Sequence, residues 1–559
     1  MIYPKSNEYR SVFNLNGIWR FQTLNEDYDP CHSLQDYIPM AVPASMNELV
    51  TDIGIQSHVG RVVYETSFSI PLDVNMEYRL RIGATSHKCK VYLNGFQIGE
   101  GINGFLPIDL ALENIQKDNR LSIVIDNRLS PETFPPGRIK DGMQLITFDF
   151  YNFTGIHRDV LVYGVPKKNI KDVTVHTVVD GDYRKIKVDV DTNCDSVRFE
   201  LLDKNKNLIL ESESSEIIVD DPHLWSTKDP YLYTLVVMTK CDRYEERFGI
   251  RKIEVKGDQL LLNDVPVYLK GFGMHEDFFL LGKGNCSAVN IRNFELLKWI
   301  NANSFRTSHY PYSEEIMDLA DEYGMLVIDE VPAVGMNNWE HNFGEDGANE
   351  NTLKLHKELI SQLYARDKNH PSVIMISVAN EAPTFETESE AYFKEVFEHT
   401  RSVWDRPVTI VEMYKHDETL ATKYADVISL NRYFGWYFDH GNLSVIYEQM
   451  KEELQKWHDK YQKPIIITEF GADTVEGVHA IPAESFSEEF QVEYIKQNCN
   501  AFDEFDFCIG EHVWNFADFK TKQGISRVRG NRKGVFTKER QPKLSAHFLR
   551  QRWGNMQDK

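Results

Sequence analysis

Ser372-Val373-Ile374-Met375-Ile376-Ser377-Val378 runs through Ala379 into Asn380-Glu381, and Pro464-Ile465-Ile466-Ile467-Thr468 runs into Glu469. Apolar runs of this length, rich in β-branched residues and closed by polar ones, predict strands buried on both faces, as in a parallel sheet. A carboxylate at the carboxyl end of such a strand stands where a barrel of parallel strands keeps its chemistry. Two carboxylates facing one cavity are the minimum needed to cleave a glycosidic bond.

The texture around these runs extends the reading. After about residue 258, apolar strands alternate with helix-like stretches at 293–302, 313–323, 353–366 and 447–461. That alternation over about 300 residues predicts one (β/α)8 TIM barrel. Its candidate strands end near Glu276, His309, Glu330, Glu381, Glu412, Asn431, Glu469 and Glu511. Upstream the segments are short and strand-like only. Asn94-Gly95 between two such segments is a hairpin turn signal. The first part reads as a β-sandwich. The next, short enough for a small immunoglobulin-like sandwich, carries strands near 173–177, 185–190 and 231–237. The predicted division is 1–166, 167–256 and 257–559.

A formal charge of -23 excludes nucleic acid and anionic membrane as partners, because both are polyanions. No stretch of about 18 apolar residues is present to span a bilayer. The start shows no basic segment followed by an apolar one, so no secretory signal is expected. The seven cysteines contain no CxxC pair, and an odd, sparse set fits reduced thiols and a cytoplasmic location. Neither HExxH, GxGxxG nor GxxxxGK[ST] occurs, so no metal and no cofactor are expected.

Seven carboxylates fall at predicted strand ends: Glu276, Asp329, Glu330, Glu381, Glu412, Glu469 and Glu511. Pattern alone does not choose two of them, and the plain alternative for each is a salt bridge at the barrel mouth. Asn380 beside Glu381 favours that one, because an amide there can hold a substrate hydroxyl as charge develops at the ring. Tyr433, Trp436, Tyr437 and Trp514 lie near other strand ends, where they could wall a sugar site or merely pack. Arg527-Val528-Arg529-Gly530-Asn531-Arg532-Lys533 puts four cations in seven residues of an acidic chain. Alone it reads as a solvated loop; beside the barrel mouth it would receive an anionic sugar.

Nearly the whole chain resembles glycoside hydrolase family 2, and within it the glucuronide-cleaving members. The matching pieces include Asn14-Leu15-Asn16-Gly17-Ile18-Trp19, Asp149-Phe150-Tyr151-Asn152-Phe153-Thr154-Gly155-Ile156-His157-Arg158 and Asn303-Ser304-Phe305-Arg306-Thr307-Ser308-His309-Tyr310-Pro311. Asn380-Glu381, Ile467-Thr468-Glu469-Phe470-Gly471 and Val513-Trp514-Asn515-Phe516-Ala517-Asp518-Phe519 continue the series in family order. The resemblance implies an N-terminal jelly-roll β-sandwich like a sugar-binding domain, an immunoglobulin-like β-sandwich and a catalytic C-terminal barrel. It implies Glu381 as general acid/base and Glu469 as nucleophile of a retaining enzyme, with carboxyls about 5–5.5 Å apart. Glu381 should then be raised in pKa and protonated, and Glu469 ionised. Asn531 and Lys533 match the Asn-x-Lys motif that holds the C6 carboxylate of a glucuronide. Asp149, His309, Asn431, Tyr437, Trp514 and Arg527 would line the sugar site, Asp149 reaching it from the first sandwich.

Three features depart from the family pattern. Ile376 and Ala382 stand where relatives usually have Trp and Pro. The segment 335–352 is short where several gut bacterial members carry a longer loop, which implies an open aglycone side with room for longer sugars. The expected substrate is a small-molecule or oligosaccharide glucuronide. The alternatives are a sibling retaining β-glycosidase acting on galacturonides or a neutral sugar, and a binding protein whose barrel has lost catalysis. Family habit implies a homo-oligomer, tetramer or dimer.

Overall fold

The computed structural model describes residues 2–25, 28–180, 183–337, 341–344 and 347–556. The first sandwich packs a six-stranded sheet on a four-stranded one, all pairings antiparallel. Asp118–Asp126 lies inside the larger sheet between Arg61–Ser69 and Lys88–Leu93. Trp19, Tyr64, Val91, Ile123 and Val162 fill the space between the sheets. The Asn94-Gly95 signal is a two-residue hairpin turn: both residues are left-handed, at φ 53° and 92°, joining Lys88–Leu93 to Phe96–Gly101.

The second sandwich sets the sheet of Ile170–Asp180, Tyr183–Thr192 and Glu216–Ile218 against Leu208–Ser212, Arg198–Leu202, Tyr233–Met238 and Arg243–Phe248. Its core is aliphatic and aromatic, with Val173, Val188, Leu201, Leu235 and Tyr244 buried together.

Eight parallel strands then close into a barrel. They are β1 Leu269–Gly273, β2 Ser304–Arg306, β3 Leu326–Glu330, β4 Val373–Asn380, β5 Val408–Glu412, β6 Ile428–Asn431, β7 Ile465–Glu469 and β8 Cys508–Val513. Every residue of β4 and of β7 is buried, as continuous apolar runs flanked on both faces require. Helices cover the outside: α1 Ser287–Trp299, α2 Glu314–Tyr323, α3 Glu350–Asp367, α4 Thr387–Val403, α5 Ile446–Tyr461, α6 Glu488–Phe502 and α7 Leu544–Asn555. A small sheet, Ile253–Lys256, Gln259–Leu262 and Val265–Pro266, precedes β1. Its Leu260 and Leu262 pack with Leu269, Leu326, Ile374 and Ile466 near the strand starts, closing the end opposite the carboxyl termini.

Three of the expected strand ends shift. Glu276 and His309 lie three residues beyond β1 and β2, and Glu511 sits inside β8 rather than at its end. Ile376 and Ala382 are both fully buried in the main core. Residues 338–340 and 345–346 of the short 335–352 segment lie outside the described residues.

Candidate active site

The structure sorts the seven carboxylates. Glu276 accepts from the Ser313 backbone at 2.8 Å and from Arg158 Nη2 at 3.1 Å, tying the first sandwich to the barrel. Asp329 is buried against Asp367, and burial followed by that neighbour raises its pKa. Glu330 accepts from Arg306 and from Ser377 Oγ at 2.7 Å. Glu412 is held by the hydroxyls of Thr384, Thr419 and Thr422 at 2.7–2.9 Å. Glu511 points outward from β8 to Arg552, Tyr268 and Trp553. These five serve the scaffold, and Glu381 and Glu469 remain.

Glu381 follows the last residue of β4 with a left-handed backbone, φ 51°. A non-glycine residue there is strained, and such strain concentrates at functional positions. Its Oε1 accepts from Asn431 Nδ2 at 2.7 Å. Thr468 Oγ1 donates to Asn431 Oδ1 at 2.9 Å, which turns the amide so that its NH2 faces Glu381. Asn431 also reaches Asn380 Oδ1 at 3.2 Å, and Arg306 Nη1 reaches the same oxygen at 3.3 Å.

Glu469 ends β7 and is 4% exposed. Oε1 accepts from Arg306 Nη2 at 2.5 Å and Oε2 from Tyr433 OH at 2.7 Å. His309 Nε2 stands 3.7 Å from Oε1. The imidazole stacks on Trp514 with centroids 5.1 Å apart, and its Nδ1 faces Glu330 Oε1 at 3.0 Å. Burial pulls His309 down to about 4, so the ring is neutral near pH 7.

Burial raises both carboxyls of the pair. For Glu381 it outweighs the Asn431 bond and Arg306. For Glu469 it outweighs Arg306, and the Glu381 charge adds to it, bringing the group to about 8. Both members of the pair are raised, Glu469 included. Ionising one carboxyl opposes ionising the other, so the two compete for one proton. The donors decide where it sits. Glu469 receives a guanidinium and a phenol, which favour its charge; Glu381 receives only an amide.

A continuous line of contacts leads from Glu469 to the cationic segment. Tyr433 packs on Tyr437 with centroids 4.9 Å apart, and Tyr437 OH accepts from Lys533 Nζ at 2.9 Å. Lys533 is fully buried, and its ammonium lies 4.8–5.8 Å from the rings of Tyr437, Trp436 and Tyr433. Arg527 donates from Nε to Asp149 Oδ1 at 3.1 Å and from Nη2 to Tyr437 OH at 2.6 Å. Asn531 Nδ2 donates to Asp149 Oδ2 at 2.9 Å. Tyr437 is half exposed, so this end opens to solvent. All thirteen residues expected at the site thus fall in one contact network.

Sequence reasoning passed over Arg306 and Asp473. Arg306 lies within a quoted motif, three residues before His309, and a buried arginine ending a barrel strand is itself a signal. Asp473, four residues past Glu469, accepts from Lys533 Nζ at 2.6 Å. Away from the site, Asp318, Asp321 and His370 stand close enough to hold a metal ion. They are already committed: His370 Nδ1 to Asp321 at 2.6 Å and Arg247 to Asp318 at 2.9 Å.

Comparisons with known proteins agree along the chain. Family models match residues 12–166 (glycosyl hydrolases family 2, sugar binding domain), 158–251 (glycosyl hydrolases family 2) and 253–558 (glycosyl hydrolases family 2, TIM barrel domain). A β-glucuronidase of Paenibacillus borealis is 42% identical, covering 100% of this chain and 99% of the relative. One of Streptococcus agalactiae is 38% identical over 99% and 98%. Among solved structures, an uncultured Clostridium sp. β-glucuronidase superposes with a TM-score of 0.97 at 44% identity, over 100% of both chains. A Ruminococcus gnavus β-glucuronidase in complex with uronic isofagomine gives 0.94 at 39%, over 99% of both chains.

Proposed function

The chain belongs to glycoside hydrolase family 2, and we propose that it cleaves β-D-glucuronides to D-glucuronate and an alcohol with retention at the anomeric carbon. Glu381 gives its proton to the glycosidic oxygen as the bond to the aglycone breaks. Glu469 attacks the anomeric carbon from the opposite face and forms a glycosyl ester. Glu381, now ionised, takes a proton from water, and that water displaces Glu469 to release glucuronate. Arg306 and Tyr433 hold the Glu469 carboxylate in place for attack. Asn531 and Lys533 receive the C6 carboxylate, with Arg527, Asp149 and Tyr437 around them. Trp514 and His309 wall the ring beside Glu469, and Trp436 lies under Lys533.

One observation supports this reading most: the run Glu469–Tyr433–Tyr437–Lys533, which puts a buried ammonium two aromatic rings from the carboxylate that would attack. A neutral sugar offers such an ammonium a hydroxyl at most and no charge to pair with. The test is side-by-side kinetics on p-nitrophenyl β-D-glucuronide, β-D-galacturonide, β-D-galactoside and β-D-glucoside, with proton NMR of the first-formed anomer. The glucuronide should lead and release the β-anomer. Preference for the galacturonide or a neutral glycoside would replace the assignment with a sibling activity.

No described helix is long and apolar enough to cross a membrane. All seven cysteines are free, which supports a reducing, cytoplasmic setting. Self-association as a dimer or tetramer is part of the same reading, and light scattering on the purified protein decides it.

A further inference from the structure

Asp473 is neither of the catalytic pair nor a group expected to touch the sugar, yet the receptor for the C6 carboxylate is built on it. It is 2% exposed, in the loop after β7. Oδ2 accepts from Lys533 Nζ at 2.6 Å and from Arg527 Nη1 at 3.3 Å, and Oδ1 accepts from the Arg532 backbone at 2.8 Å. Burial works against its charge, but Lys533 and Arg527 more than offset that and hold the carboxyl below its ordinary value. The Lys533 ammonium has three aromatic rings and one phenolic oxygen for its other neighbours. The rings favour the cation, but an ammonium buried in this way still draws most on a counter-ion. As a neutral amine it would have no Coulombic hold on an acidic sugar.

The second carboxylate of the receptor is of a different kind. Asp149 comes from another domain, its side chain is 40% exposed, and it bridges Arg527 and Asn531. It already occupies the amide that would hold the sugar's acid group, and water screens its open side. Asp473 has no such screen.

We propose that Asp473 is a positioning residue that sets selectivity for acidic sugars, as the fixed counter-ion that keeps Lys533 an ammonium. This rests on the glucuronide reading above. The groups facing Lys533 are Asp473, Tyr437 and Tyr433, with Arg527 and Glu469 one contact further. The receptor therefore holds one buried ion pair and one part-exposed carboxylate, and it discriminates by charge only while the pair is intact.

The test titrates methyl β-D-glucuronide and methyl β-D-glucoside by NMR between pH 6 and 9. Every protein carries Glu469→Ala, so neither ligand should turn over. Asp473→Asn should lose about tenfold or more in glucuronide affinity relative to glucoside, and the loss should deepen as pH rises. In a Lys533→Met background the same change should leave the ratio unmoved, because Asp473 acts through the lysine. Equal losses on both sugars, a ratio independent of pH, or additive losses in the double variant would make Asp473 a mere scaffold and overturn the proposal. Should the asparagine variant not fold, Asp473→Glu keeps the charge and must keep the ratio independent of pH; a pH-dependent ratio there also overturns it. Turnover of the glucuronide by the Glu469→Ala background would instead strike at the functional reading, separately from Asp473.

Discussion

Arg306 Nη2 stands 2.5 Å from Glu469 Oε1, with the arginine side chain fully buried and the glutamate's 6% exposed. Through Nη1 the same guanidinium lies 2.7 Å from Glu330. One cation thus serves two buried carboxylates, one structural and one reactive. Removing one member of such a group leaves uncompensated charge in the interior and costs about 3–5 kcal/mol. Arg306→Leu should lower the urea unfolding midpoint accordingly. Because Arg306 pulls the Glu469 pKa down, its loss should also move the acid limb of kcat/KM to higher pH. An unmoved limb would show that the guanidinium does not tune the nucleophile.

Glu469 makes stability depend on pH in a definite direction. Its folded-state pKa of about 8 stands above the ordinary 4.5, so the group favours folding below the ordinary value. That contribution is lost as pH rises through about 8. Glu469→Gln carries no such penalty. Whatever its stability at pH 5, the variant should gain on the parent as pH rises from 5 to 8. A gain that shrinks over that range would contradict the burial account.

Glu381→Gln removes the group that donates the proton. The loss in kcat/KM on the glucuronide should be about 10²–10⁴-fold. The parent should show a bell, falling at high pH as the pair gives up its shared proton. The variant has one titrating carboxyl left, so its profile should rise with pH and not fall. Losing the Glu381 charge also removes one cause of the raised Glu469 pKa, so that single limb should lie at lower pH. A bell retained in the variant would place the acid elsewhere.

Lys533→Ala breaks a buried, charge-assisted contact. It should reduce kcat/KM on p-nitrophenyl β-D-glucuronide by roughly thirtyfold to several thousandfold, from about 2–5 kcal/mol. Matched neutral glycosides should lose far less. Equal losses on both would mean that the lysine does not read the carboxylate.

The β/α alternation and the two apolar runs made the barrel legible because parallel strands buried on both faces leave a continuous apolar signature. Both runs are strands ending beside the residues of interest, β4 before Glu381 and β7 at Glu469. The Asn94-Gly95 hairpin was legible for a local reason, since few residue pairs take two left-handed positions. Glu511 misled because a carboxylate inside a strand and one at its end look alike in sequence. Tyr268 and α7, which brings Arg552 and Trp553 to Glu511, reveal which way it points. Choosing between the seven carboxylates needed partners from distant segments, and these the local pattern does not carry. Asp473 was missed for the same reason: its meaning lies in Lys533, sixty positions away. The charge order of the pair turns on the donors around each member, because burial acts on both.

Trapping the covalent intermediate tests the central claim most directly. The enzyme is incubated with 2-deoxy-2-fluoro-β-D-glucuronyl fluoride, whose fluorine slows release more than attack, and is then measured by intact and peptide mass spectrometry. The account predicts one added fluoroglucuronyl group per chain, ester-linked to Glu469. A label on Glu381 or any other side chain, or steady consumption of the reagent with Glu469 never modified, would contradict it.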